Sequence, residues 1–430
     1  MQKSAFYRAV AGVGAVAVVL GASACSPMSD PATSQAPETS ATPMESMDAG
    51  SMLMPSGTGD PFTDARTAAS HMPMTATTLA GGFVTALDIP GEVDSDAATL
   101  RADLTALLQE HVYLAGIAVA TAYHAGADSA QFEAAAAALD TNSVDLSEAV
   151  GSFSDEDEAE AFLALWREHI GYFVDYAVAV KGGDDAAADE ATMNLQGYTG
   201  EAGAFFEEIS GGVLPADAIA ENLVMHVETL SAAIDAFAAG EPTATDTLQE
   251  AASHVVMTSE VLAGGLATTG ALEGDVADEA STLRSQLVAG LQEHVYLASI
   301  AVFTAYTAED GVESQAFEGA AATLDANSVA LSEAIGTLAG EENGTAFLEL
   351  WREHIGYFVD YATAIATDDQ AAADQALMDL DGYRPTAGAF FEEISGGELP
   401  ADAIADGLGT HVETLAGAID SLKEQLVDAG

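Results

Sequence analysis

Residues 162–181 read FLALWREHIGYFVDYAVAVK, and residues 347–366 read FLELWREHIGYFVDYATAIA. In the first stretch Phe162, Leu165, Trp166, His169, Phe173 and Tyr176 recur every three or four positions, the spacing of one face of an α-helix. His169 shares that apolar stripe and so points into a core. The second stretch repeats the stripe 185 positions later, with His354 in the same place. Outward from these two helices, the chain reads as one unit of roughly 150–180 residues written twice. His71 matches His254 and His111 matches His294 at an offset of 183, and His226 matches His411 at 185. The ninth histidine, His124, faces Thr307. Neighbours drift between copies: Ser70-His71-Met72-Pro73-Met74 becomes Ser253-His254-Val255-Val256-Met257. An imidazole kept while its surroundings change has a local job.

The same periodicity predicts helices near 63–87, 95–124, 129–153, 158–181, 185–209 and 216–239. The second copy predicts them near 243–268, 277–308, 314–338, 344–366, 369–394 and 401–427. Breaks fall at Gly182-Gly183, at Gly211-Gly212 before Pro215, at Pro242, and at Gly396-Gly397 before Pro400, as helix ends should. The repeated block GAFFEEISGG (203–212 and 388–397) reads as a helix closing on glycine. Strand-type alternation is absent. The expected fold is all-α: two tandem homologous antiparallel helical bundles, 61–240 and 241–430, after an N-terminal leader and tether.

The leader is residues 1–25. Lys3 and Arg8 precede an apolar run from Ala9 to Leu20, and Ala22-Ser23-Ala24 leads into Cys25. This is the layout of a bacterial lipoprotein signal peptide, which makes Cys25 the lipidation site and places the protein outside the cytoplasm on a membrane anchor. Cys25 is the single cysteine, so an intramolecular disulfide and a cysteine-based zinc site are excluded. Residues 26–60, rich in Ser, Thr, Pro and Met, read as a disordered tether. Met44, Met47, Met52 and Met54 lie there and suggest loose binding of a soft metal, or drift. No stretch after the leader reads as a membrane span. The chain carries 69 acidic and 10 basic residues, so it has no basic face for nucleic acid. The membrane contact it implies is the lipid alone.

Helical periodicity places His111 on the stripe Leu104, Leu107, Leu108, Leu114 and His226 on the stripe Ile219, Leu223, Leu230, Ile234. Asn142 and Asn327 also point inward. Each histidine sits mid-helix, and mid-helix positions of an antiparallel bundle meet at one level. The expectation is one buried layer of three or four imidazoles per bundle, a ligand set for a transition metal. The candidate ligands are His71, Met74, His111, His169 and His226 with His254, Met257, His294, His354 and His411. His71-x-x-Met74 and His254-x-x-Met257 put imidazole and thioether on one helix face, a soft pair that favours copper over zinc or iron. Met193 and Met378 correspond as well, as core or as ligands. Glu110, Glu168, Glu293, Glu353, Glu228 and Glu413 lie one or two positions from a histidine. They are expected to face solvent or a neighbouring helix, and they lack the Glu-x-x-His spacing of di-iron bundles. Arg167 and Arg352 are expected to pair with carboxylates.

The segments Leu165-Trp166-Arg167-Glu168-His169 and Leu350-Trp351-Arg352-Glu353-His354 resemble a group of secreted helical proteins from Gram-positive bacteria. That group carries Leu-Trp-x-Glu-His followed by further histidine-bearing helices. The resemblance implies a histidine-lined bundle and no particular activity. In that group the His-Met helix closes its unit, so the helix at 243–268 closes the first bundle or opens the second. The alternative functions are a haem-b or redox bundle, with Ala115 and Gly116 leaving room, and an acidic envelope protein of structural or interaction type. Support for an enzyme is thin: there is no cysteine nucleophile, no glycine-rich phosphate loop and no Ser-His-Asp order.

Overall fold

The computed structural model describes residues 53–427. Cys25, the leader and Met44, Met47 and Met52 of the tether lie outside the described residues. Thirteen α-helices run in order among the described residues: α1 Pro61–Ser70, α2 Met72–Leu87, α3 Asp96–Ala125, α4 Ala130–Gly151, α5 Glu156–Gly182, α6 Asp185–Ile209, α7 Ala216–Ala239, α8 Ala244–Gly270, α9 Glu279–Thr307, α10 Gln315–Ala339, α11 Glu341–Ala366, α12 Gln370–Ile394 and α13 Ala401–Leu426. A short 3₁₀ turn covers Gly311–Glu313. No strand occurs among them, so the all-α expectation holds.

Local chemistry sets the helix ends. Asp60, Ser95, Ser129, Asp155, Asp184, Asp278, Ser314 and Asp369 each cap an N-terminus by accepting from a first-turn backbone N–H. Gly183, Gly211, Gly240 and Gly396 take the left-handed conformation just past helix ends. At 71–73 the helix is interrupted where Pro73 lacks an N–H, whereas the corresponding Val256 lets α8 run on. The chain docks earlier than composition suggests: Leu53 is buried, and the Ser56 N–H donates to the Glu413 carbonyl of α13 at 2.8 Å.

Sequence order and packing order part at one helix of each copy. α3 to α7 pack on one another, and the helix that completes this set is α8, laid along α3 and α7. α9 to α13 form the other set, completed by α2 against α9 and α1 against α13. Matching close contacts confirm the exchange. A Cβ at Gly82 of α2 would overlap the Leu399 side chain, just before α13, and one at Gly265 of α8 would overlap Leu214, just before α7. These positions correspond between copies. Segments 88–95 and 271–278 carry the chain across. There Arg101 donates to the Val276 carbonyl and to Thr282, while Arg284 donates to the Val93 carbonyl and to Thr99. The opening helix of each copy thus closes the other copy's bundle.

α3 and α9 lie at the centre, packed on each other. Both are long and apolar enough to cross a membrane by length and composition, which corrects the expectation of no such stretch. In the fold they are core helices, 83% and 72% buried over that window. A helix apolar all round belongs in an interior.

Candidate metal centre

Three helices of each set deliver one histidine each to one point. His111 of α3, His169 of α5 and His226 of α7 are 2%, 1% and 4% exposed, and His294 of α9, His354 of α11 and His411 of α13 are 1%, 2% and 5% exposed. One ring nitrogen from each member of a triad lies within 4.8 Å of the other two. The Nε2 atoms of His111 and His169 are 3.4 Å apart, and those of His294 and His354 are 3.3 Å apart. Two imidazoles bound tetrahedrally to one ion at about 2.0–2.1 Å have nitrogens roughly 3.3–3.4 Å apart. Two rings of each triad already stand at that spacing, and the third needs a side-chain adjustment of about an ångström.

Aromatic packing fixes the rings. Tyr198 stacks on His169 at 4.6 Å and Tyr383 on His354 at 5.0 Å, while Trp166 and Trp351 lie 4.8 Å from His111 and His294. The tyrosines went unseen in the sequence because no periodicity links α6 or α12 to the histidine layer.

Burial is the first cause of the electrostatics. Desolvation holds His111 and His354 down to about 3 and His226 and His411 down to about 4, and it pushes His169 and His294 well below the usual imidazole value. Repulsion between imidazoles adds to this. The main chain of Trp166 and Trp351 acts weakly the other way on His169 and His354, without meeting hydrogen-bond geometry at Nδ1. The six rings are neutral at pH 7, the form in which imidazole binds a metal. All six Nδ1 atoms, and Nε2 of His226 as well, lack a protein hydrogen-bond partner. An ion held by the converging Nε2 atoms would satisfy Nε2 of His226, while the Nδ1 atoms carry the ring proton on the side away from it. The two triads could each hold a metal ion.

The fourth histidine of each set stands beside its triad rather than in it. His254 acts electrostatically on His226 and His71 on His411, so His254 lies near the first triad and His71 near the second. His254 Nε2–H donates to the Asn222 carbonyl of α7 at 3.0 Å. Met74, Met257, Met193 and Met378 are 69%, 53%, 63% and 48% exposed, and Met74 lies on the cavity that reaches the second triad.

Glu110 and Glu293 take the second of the two expected positions, against a neighbouring helix, at 3% and 8% exposed. They form a second polar layer where α3 meets α9. Glu110 accepts from Arg66, Asn142 Nδ2 (3.2 Å) and Gln292 Nε2 (3.4 Å). Glu293 accepts from Gln249 Nε2 (2.6 Å), Asn327 Nδ2 (3.0 Å) and Tyr113 Oη (3.0 Å). Tyr113 and Tyr296 stack at 5.4 Å between them. Burial pushes both carboxyls up. Glu168, Glu353 and Glu228 are exposed, as expected. Arg167 and Arg352 pair bidentately with Asp140 and Asp325 at 2.6–2.8 Å, one helix over. No carboxylate joins either triad among the described residues. Compared with family models, curated proteins and solved structures, the chain matches none.

Proposed function

We propose that the protein is a lipid-anchored, extracytoplasmic metal-binding protein that holds one transition-metal ion, copper above others, in each histidine triad. It buffers or delivers that ion at the cell surface. The observation that carries the reading is the convergence of three buried, neutral imidazoles from three helices on one point, twice in one chain. Copper is favoured because nitrogen sites bind divalent first-row ions most tightly at copper, ahead of zinc and iron. The outward methionines do not add to that case. An exterior with so large an acidic excess draws cations toward the protein.

Haem b fits less well. Imidazole nitrogens 3.3–3.4 Å apart leave no gap for a macrocycle. The space expected beside Gly116 is filled by Leu248 of α8. The test is elemental analysis of purified protein dialysed after loading with Cu(II) or Zn(II), beside the His169→Leu/His354→Leu double variant. Two equivalents, lost in the variant, support the reading. Folded wild-type protein with no stoichiometric metal overturns it and leaves an acidic envelope protein with core histidines. Cys25→Ser tests the anchor: it should move the protein from the membrane to the soluble fraction.

A further inference from the structure

Each half also contains an apolar channel that a closed metal site does not require. In the first, the channel runs between α3, α4 and α5 from exposed helix ends at Gly126, Lys181 and Gly182 down to buried His111. From His111 to the end of α3 is about 20 Å at 1.5 Å per residue. Its volume is about 300 Å³, and its counterpart beside His294 has about 400 Å³. The walls are carbon: Ala115, Ala118, Phe132, Ile170 and Phe173 in the first, and the matching Ala298, Ala301, Phe317, Ile355 and Phe358 in the second. The copies differ at the rim, where Val178, Lys181 and Gly182 become Thr363, Ala366 and Thr367. The drift that altered so many neighbours left both inner walls unchanged.

We propose that each channel binds a small uncharged aromatic molecule bearing one hydroxyl, of the phenol class. Three observations set the class. An apolar cavity of about 150 Å³ accommodates a benzene ring, and each channel exceeds that. The deep walls offer no free counter-charge, since Arg352 on the second channel is paired with Asp325 and Lys181 stands at the rim of the first, so an anion would be stripped of water without compensation. His111 and His294 line the deep ends, and each has an Nδ1 without a partner. A hydroxyl both donates and accepts, so it suits either imidazole tautomer.

The test is calorimetric titration of the full metal-free chain with phenol, toluene and benzoate. Phenol should bind at two equivalents, toluene more weakly, and benzoate not at all. Ala118→Phe should remove one phenol equivalent and Ala301→Phe the other, with helical circular dichroism reporting the fold. Should either variant unfold, His111→Leu, which leaves the channel open, should lower phenol affinity at its site to that of toluene. No phenol binding by folded wild-type protein overturns the proposal, as does binding that both phenylalanine variants leave intact. Equal affinity for phenol and toluene overturns the role given to the hydroxyl. The experiment uses no metal, so its failure is distinct from failure of the metal-binding reading.

Discussion

The two triads are near copies, yet the surroundings of the second are more open than those of the first. Nitrogen spacings of 3.4 and 3.3 Å and nearly equal ring distances show that the imidazole layer was kept. On the α2 side of the second triad lies a cavity of about 300 Å³ that reaches all three histidines, lined by Met72, Met74 and Gly407. At the place of Gly407 the first copy has Asn222, whose carbonyl holds His254. The second polar layer diverges too. Glu110 is neutralised by Arg66, which also pairs with Asp145, whereas Glu293 has the neutral Gln249 in that place and Ala330 where Asp145 would be. Duplication preserved the metal-type layer and let access and charge compensation vary.

The largest effect should come from single-site variants. His169→Leu should lower metal affinity at the first site by at least about 100-fold, beyond the loss typical of an outer-shell change. The second site should stay intact, as equilibrium dialysis would show. Loss of both equivalents would break the independence of the sites.

Acid stability comes next. The triad imidazoles have folded values below the unfolded value near 6.5, so the unfolded chain takes up more protons between the two. Their stabilising effect is complete above pH 6.5 and is lost as pH falls toward 4 and then 3. His226 and His411, held down to about 4, each contribute on the order of 3 kcal/mol over that window. The raised Glu110 and Glu293 carboxyls act in the opposite sense. Chemical denaturation of metal-free protein should therefore show a steep loss between pH 6.5 and 4. It should be reduced in His111→Leu/His169→Leu, and equally in His294→Leu/His354→Leu. Unequal reductions would show that the two layers are less alike than their geometry.

A smaller contrast separates the glutamates. Glu110→Gln leaves half-buried Arg66 with Asp145 as its one remaining carboxylate and should cost about 1–3 kcal/mol at pH 7. Glu293→Gln removes a buried carboxylate that has no cation and should change stability by under about 1 kcal/mol, or raise it. Equal costs would contradict the asymmetry drawn above. The smallest effect concerns Ala271, which ends α8 in the left-handed conformation at φ 50°. Ala271→Gly should stabilise by up to about 1 kcal/mol, seen as a small rise in melting temperature.

Much of this was legible in the sequence. The stripe through Leu165, Trp166 and His169 predicts the helix, its buried face and the inward imidazole, because burial of a helix face is written in local periodicity. The repeat predicted that the arrangement would occur twice. What stayed hidden depends on partners distant in the chain. Nothing near His254 says that α8 will lie on α7, since an amphipathic helix fits either bundle. Which of the two expected positions Glu110 would take stayed open, because one residue round from His111 is solvent only where the helix has an outer face. α3 has none at that level, and the apolar run Val112-Tyr113-Leu114 beyond the histidine is the signal for that. Met74 and Met257 share a helix face with a histidine, yet both side chains are largely exposed, which periodicity alone does not show.

The central claim is that three imidazoles from three helices of each set form one metal site. It is tested most directly by anomalous diffraction from crystals of the protein loaded with copper. The account predicts two strong peaks, one at the centre of His111, His169 and His226 and one at the centre of His294, His354 and His411. Peaks confined to surface carboxylates or to Met74 and Met257, with both triads empty, would contradict it.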